Sequence, residues 1–328
     1  MIVTRTPARL PLGGGGTDLP SYYSQYGSFL VSAAIDKYTY LTVNKRFDDS
    51  IRVSYSRTEI VDKVEEIQHP LVREALKLLK LNRGIEIVSI ADVPANTGMG
   101  TSSSFTVGLL NALHTFKQEH VSAQTLAEEA CKIEIDILGE PIGKQDQYLG
   151  AFGGVTCLDI DREGKVTVSP LSLPDDTLEL LESNILLFYT GIKRSASEVL
   201  RDQSDASRQN DERVNNALHT IKEIGKQIKV ALESGNLRLF GELLDAHWET
   251  KKKLSDKVTV EQIDRWYEVG KRNGALGGKL MGAGGGGFLM FYCENEDKRR
   301  LRGAMAAEGL RQMRFHIDFE GSKVLVNI

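Results

Sequence analysis

The sequence predicts an α+β protein of two domains, on three observations. Its 328 residues suffice for about two domains at ~100–200 residues each. Strand-type and helix-type segments alternate along the chain without an internal repeat, as in two α+β layers packed side by side. An acidic stretch, Pro174 to Glu182 with Asp175, Asp176 and Glu179, precedes a fresh apolar strand at Asn184 to Tyr189, which puts the expected domains at 1–182 and 183–328.

The segments Ile2 to Leu10, Ser28 to Ile35, Tyr38 to Lys45 and Ile51 to Ser56 are rich in Val, Ile, Thr and Tyr, the composition of half-buried sheet. Between the first two, Asp18 is placed to cap a short helix with Pro20 in its first turn, ending before Gly27. His69 to Leu81 predicts a helix, because Leu71, Val72, Ala75, Leu76, Leu78 and Leu79 recur at helical spacing. Gly84 to Val93 then reads as a strand. After a loop from Pro94 to Gly100, Thr101 to Phe116 predicts a helix whose first turn carries hydroxyls and free N–H groups. Ser122 caps the next helix, which runs to Leu138 and stops at Gly139 and Pro141. Val155 to Ile160 and Val166 to Leu171 flank Asp161-Arg162-Glu163-Gly164-Lys165, a hairpin signal. The second domain is expected to be helical from about Ser195 to Asn273 in at least three segments. Strand, glycine loop, strand Phe288 to Cys293, helix Asp297 to Glu308 and two closing strands then follow.

Composition narrows the function. Forty-one Lys plus Arg against forty-five Asp plus Glu give a net charge of −4 without single-sign blocks, which argues against nucleic acid or an anionic membrane as partner. With 41% hydrophobic and 26% charged residues the chain can bury a sizeable core. Cys131, Cys157 and Cys293 are odd in number and far apart, and are expected to be reduced thiols in a cytoplasmic protein. None of the six histidines shows the spacing of a zinc site. Met1 to Leu12 lacks the apolar core of a signal peptide, and no stretch nears the ~20 apolar residues of a membrane span.

The 31 glycines exceed the usual ~7% and are clustered at Gly13 to Gly16, at Gly98 with Gly100, and at Gly282 with Gly284 to Gly287, as if backbone approached a ligand from several sides. The run Gly98-Met99-Gly100-Thr101-Ser102-Ser103-Ser104 between a strand end and a helix start has the physics of a phosphate cradle. Glycines let N–H groups approach phosphate oxygens, the helix dipole favours the anion, and the serines can reach phosphate or Mg²⁺. No Gly-Lys-Ser/Thr follows, so it is not a Walker A loop. The late run matches G-x-G-x-x-G formally, but the strand Phe288 to Tyr292 follows it where a dinucleotide site needs a helix. Alone, that run is equally a flexible hairpin or a ligand loop. In Gly14-Gly15-Gly16-Thr17-Asp18, glycines beside a carboxylate would admit a small polyol, although Asp18 is also explained as a cap. Glu134 and Asp146 are separated by a turn and could divide metal holding and proton handling, although Glu134 shares its helix with Glu128, Glu129 and Asp136.

Together the motifs resemble the GHMP kinase superfamily over nearly the whole chain: P-x-R…G-x-x-T-D at Pro7 to Asp18, P-x-x-x-G-x-G-[ST]-S-S at Pro94 to Ser103, and the late glycine loop at Gly282 to Gly287. The resemblance implies a two-domain fold, with an N-terminal domain like ribosomal protein S5 domain 2 and a ferredoxin-like C-terminal domain. It implies ATP and Mg²⁺ as cofactors, the run from Gly98 to Ser104 around the ATP phosphates, and Ser102 with Glu134 on Mg²⁺. Asp146 would take the proton of the acceptor hydroxyl, with Arg9 as its cationic partner, and Asp18 would bind the sugar.

Galactokinases carry Glu and His where this chain has Gly15 and Gly16. The runs Gly-Gly-Gly-Gly-Thr-Asp, Ala-Ala-Ile-Asp-Lys-Tyr, Gly-Lys-Gln-Asp-Gln-Tyr and Tyr-Thr-Gly-Ile-Lys-Arg-Ser-Ala are most similar to the heptose 7-phosphate kinases of bacteria. Those enzymes phosphorylate the anomeric hydroxyl on the way to surface polysaccharide. A small-molecule phosphosugar would need extra cations, for which Lys193, Arg194 and Lys144 are candidates, with Gly284 and Gly285 on the substrate side. A fucokinase-like C1 kinase and a catalytically silent sugar sensor remain open alternatives, and a nicotinamide enzyme would rest on the late glycine run alone. The expected form is a monomer or homodimer.

Overall fold

A computed structural model describes residues 1–95, 97–192, 196–209 and 211–328. An eight-stranded sheet holds β1 (Ile2–Gly13), β2 (Ser28–Lys45), β3 (Ile51–Ser54), β4 (Thr58–Val61), β5 (Ile85–Ala91), β6 (Val155–Ile160), β7 (Val166–Pro170) and the last strand, β12 (Lys323–Asn327). A four-stranded sheet, ordered β11-β8-β10-β9, holds β8 (Ile185–Tyr189), β9 (Ala275–Leu280), β10 (Phe288–Cys293) and β11 (Arg311–Met313). β12 pairs antiparallel with β1, so the end of the chain returns to the first sheet across the division expected at 182/183.

The strands expected at Ser28 to Ile35 and Tyr38 to Lys45 are a single strand of 18 residues. Asp36-Lys37 bulges out of the pairing with β1, where Pro7 pairs with Tyr38 and Ala8 with Ile35, but the strand continues, and the Asp36 N–H donates to the His316 carbonyl (2.9 Å). The two halves of β2 have different neighbours, β6 for Ser28 to Ala33 and β5 for Thr39 to Lys45.

α1 (Pro20–Tyr26) is present, but Asp18 does not cap it; Leu19 occupies the cap position without a side-chain bond. α2 (Pro70–Leu78), α3 (Thr101–Phe116), α4 (Ala123–Cys131) and α5 (Gln145–Phe152) follow. α3 has the bounds its periodicity predicts, and Ser122 caps α4 by accepting from the Thr125 N–H (3.1 Å). Beyond α4 the backbone loosens into a π-helical stretch, Lys132–Ile137, which carries Glu134. The boundary segment is itself a helix, α6 (Asp175–Asn184), with Asp175 and Asp176 in its first turn, where the helix dipole favours them.

Four helices occupy the expected helical stretch among the described residues: α7 (Ala196–Arg208), α8 (Glu212–Glu233), α9 (Leu237–Lys251) and α10 (Glu261–Arg272). Asp211 and Asn236 cap α8 and α9. α11 (Lys298–Ala307) lies between β10 and β11. One core, with Leu41, Val107, Leu110 and Leu149, packs helices against the first sheet. A second joins Leu10 and Val31 of that sheet to Ile228 and Phe240 of α8 and α9 and to Leu187 and Met290 of the second sheet. This shared core fixes one sheet against the other and so positions the cleft between them. All three cysteines are free and buried. No helix among the described residues is long and apolar enough to cross a membrane.

Candidate active site

Where the end of β1, the start of α3 and the start of α5 meet, a cavity of about 470 Å³ opens, within the ~300–1,000 Å³ range of small-molecule sites. Of the residues singled out in the sequence, Arg9, Gly15, Gly16, Asp18, Gly98, Gly100, Thr101, Ser102, Ser103, Glu134 and Asp146 line it. Residues 137 positions apart meet here: Arg9 Nε donates to Asp146 Oδ1 (2.7 Å) and Nη2 to Oδ2 (3.0 Å). Arg9 also donates through Nη1 to the Gly98 carbonyl and through its backbone N–H to the Met99 carbonyl (3.1 Å). One buried guanidinium thus ties β1 to the glycine loop and to the first turn of α5.

Gly100 caps α3 in a left-handed conformation (φ +73°) and offers no side chain to the helix end. The first intrahelical bond runs from the Ser104 N–H to the Gly100 carbonyl (2.9 Å), leaving the N–H groups of Thr101, Ser102 and Ser103 for a ligand. A Cβ on Gly100 would come within 2.9 Å of Asp146 Cγ, so only glycine keeps loop and carboxylate this close.

Successive residues of α5 aim at different partners. Gln145 Nε2 donates to Ser32 Oγ, Asp146 faces Arg9, and Gln147 Nε2 donates to Glu134 Oε2 (2.8 Å). The other Glu134 oxygen accepts from Ser102 Oγ (3.2 Å). Burial pushes the Glu134 carboxyl up to about 7, although the bonds from Gln147 and Ser103 pull it down. Asp18, also buried, accepts at Oδ2 from the Gln145 N–H (3.1 Å) and at Oδ1 from the Gly16 N–H (3.2 Å), and burial raises its pKa.

Other predicted residues support the site from outside the lining. Met99 is fully buried in the second core, and Ser104 Oγ donates to the Pro7 carbonyl (2.8 Å). Thr17 Oγ1 donates to the Gly14 carbonyl (2.7 Å), which closes the turn before Asp18, and Gly14 packs on the backbone of Phe29. Lys144 does not reach the cavity: its ammonium donates to the Gly164 carbonyl and lies 5.3 Å over the Tyr23 ring. Gly284 and Gly285 pack on Val258, whose carbonyl accepts from the Gly285 N–H (2.9 Å). The late glycine run instead meets the site through Gly282, which lines the cavity against Gly98. Lys193 and Arg194 lie outside the described residues.

Sequence reading missed His247, Lys251 and Lys279, which also line the cavity. The signal was present in α9: Phe240, Leu244, His247 and Lys251 recur at helical spacing on the buried stripe, so the last two are polar residues where the pattern calls for apolar ones.

The sequence matches the GHMP kinases N terminal domain over residues 70–154 and the GHMP kinases C terminal region over residues 228–310. It is 30% identical to the D-glycero-alpha-D-manno-heptose 7-phosphate kinase of Campylobacter jejuni, covering 98% of both chains. The chain belongs to the GHMP kinase family. As a GHMP kinase it is a small-molecule phosphotransferase, and the two-domain GHMP fold expected from the sequence is borne out. Another relative, the L-fucokinase/L-fucose-1-P guanylyltransferase of Bacteroides fragilis, is 29% identical over 89% of this chain and 34% of that protein. The crystal structure of a D-glycero-D-manno-heptose 1-phosphate kinase from Bacteroides thetaiotaomicron superposes with a TM-score of 0.83 at 25% identity, covering 100% of both chains.

Proposed function

We propose that this GHMP kinase is a sugar kinase that transfers the γ-phosphoryl group of ATP to the anomeric hydroxyl of D-glycero-D-manno-heptose 7-phosphate, giving the 1,7-bisphosphate for nucleotide-activated heptose. The observation that supports the reaction type is the contact of Asp146 with both Arg9 and the glycine loop, the arrangement that a proton acceptor beside a phosphate cradle would need. Gly98, Gly100 and the free N–H groups of Thr101 to Ser103 would receive the transferred phosphate. Asp146 would accept the acceptor hydroxyl proton on a lone pair not used by Arg9, and Arg9 would orient that carboxylate. Asp18 would accept from a sugar hydroxyl, and Gly15 and Gly16 leave room for the ring beside it.

Mg²⁺ fits the residues present. Glu134 is a buried carboxylate with no cationic side chain paired to it among the described residues, and it touches the Ser102 hydroxyl. These are two hard oxygen donors, and Mg²⁺ completes its shell with phosphate oxygens and water, so no third acidic ligand is needed. Bound there, the ion would neutralise charge on the phosphate oxygens.

The sugar assignment rests on the full-length similarity to the Campylobacter jejuni enzyme and on the glycines that replace bulkier residues before Thr17-Asp18. The similarity to part of the L-fucokinase/L-fucose-1-P guanylyltransferase keeps a neutral C1 sugar as the second reading. ADP release at saturating Mg·ATP over heptose 7-phosphate, mannose, fucose, galactose and mevalonate tests both. Turnover with heptose 7-phosphate at least ~10²-fold above the unphosphorylated compounds is expected, since the substrate phosphate adds charge-assisted bonds. Turnover with fucose or galactose alone would overturn the heptose assignment and leave the kinase chemistry.

A further inference from the structure

His247 is 1% exposed and lines the cavity, yet neither ring nitrogen has a hydrogen-bond partner. An unmet buried polar atom forfeits its hydration with nothing in return and calls for an explanation. One turn further along α9, Lys251 is 8% exposed, and its ammonium donates to the Gly282 carbonyl. From β9, Lys279 is 1% exposed and has a single long bond to the Leu12 carbonyl (3.3 Å). Neither lysine forms an ion pair within 4.0 Å among the described residues, whereas Arg9 beside them is paired with Asp146. Taking ammonium groups out of water without a carboxylate beside them is strongly unfavourable. Burial, with repulsion from Arg9, pushes Lys251 down to about 7; burial first and then repulsion from Lys251 and Arg9 on Lys279, and from Lys279 and Lys251 on His247, holds those two well below their usual values. In the absence of a ligand this is an expensive arrangement, and a bound anion would relieve it.

We propose that His247, Lys251 and Lys279 form a second anion subsite, which holds the phosphate monoester already present on the sugar. This deepens the kinase reading and rests on it. A phosphate dianion supplies acceptors for two ammonium groups and an imidazole together. The placement favours the acceptor rather than the nucleotide. Lys279 bonds the carbonyl just before the glycine turn, and Asp18 is the carboxylate that acts on Lys251. The nucleotide's phosphates already have a proposed site of their own in the free N–H groups at the start of α3.

The test uses the full-length chain and the variants His247→Gln and Lys251→Met, with KM for ATP, KM for heptose 7-phosphate, and kcat/KM for heptose 7-phosphate and for unphosphorylated heptose. The preference for the phosphorylated over the unphosphorylated sugar is expected to fall about 30-fold or more in Lys251→Met, the scale of losing a buried charge partner, and about 5-fold or more in His247→Gln, the scale of a misplaced neutral hydrogen bond. The loss should appear in KM for the phosphosugar, with KM for ATP within about 3-fold. Equal losses on both sugars would reduce these residues to a structural role and overturn the proposal, as would a rise confined to KM for ATP. If Lys251→Met does not fold, the more conservative His247→Gln decides. Failure of the parent reading looks different: the unmodified chain itself would then not prefer heptose 7-phosphate.

Discussion

Asp146→Asn is expected to lower kcat by about 10³-fold, within the 10²–10⁴ range of a positioned proton acceptor, while KM for ATP stays within a few-fold. Asparagine keeps the shape of the side chain and one carbonyl oxygen for the Arg9 fork, so loop and helix should stay in register. What it removes is the capacity to take a proton from the sugar hydroxyl as the phosphoryl group arrives. The first turn of α5 and the glycine loop are tied to the same Arg9 guanidinium, so thermal melting should accompany the kinetics. A well-folded Asp146→Asn protein retaining more than a tenth of wild-type kcat would remove Asp146 from the role of base.

Gly282→Ala is expected to destabilise the protein by about 2–4 kcal/mol and to reduce kcat/KM sharply, through backbone strain and a contact that cannot yield. Gly282 has φ +73°, and a Cβ there would lie 2.5 Å from the Cα of Gly98. Both partners are backbone, so no side chain can swing away. Moving Gly98 takes its carbonyl off Arg9 and disturbs the loop proposed to hold phosphate. The control is Gly303→Ala in α11, where a Cβ meets nothing within 4 Å; it should leave activity intact and shift stability by about 1 kcal/mol or less, in the favourable direction. Melting temperatures and kinetics of the two variants separate a local clash from a general intolerance of alanine for glycine.

That pair of glycines shows how much was legible in the sequence. The three clusters could be seen, and their use as close-approach backbone could be inferred, but not which cluster approaches which. The late run alone read equally as a hairpin or a ligand loop, because its meaning lies in a contact across 184 residues that no local spacing encodes. Local signals were faithful where local forces decide: the hydroxyl-headed helix α3, the Ser122 cap and the hairpin of β6 and β7 appear as expected. They failed where tertiary partners override them. Asp18 has the sequence of a cap but is drawn to the Gln145 N–H, and Asp36-Lys37 reads as a break but is held in β2 by residues near the end of the chain. Lys144 reads as an available cation beside Asp146, yet the Gly164 carbonyl and the Tyr23 ring take it. The buried cations were overlooked because lysine is normally solvent-facing, and only its place on the apolar stripe of α9 marks Lys251 as different.

The measurement that bears most directly on the central claim is where the new phosphate lands. Heptose 7-phosphate incubated with Mg·ATP and the protein should give a product with a second ³¹P resonance coupled to the anomeric proton, with one ADP released per bisphosphate formed. A new phosphate coupled to any other sugar proton, or no bisphosphate at all while a neutral sugar is consumed, would contradict it.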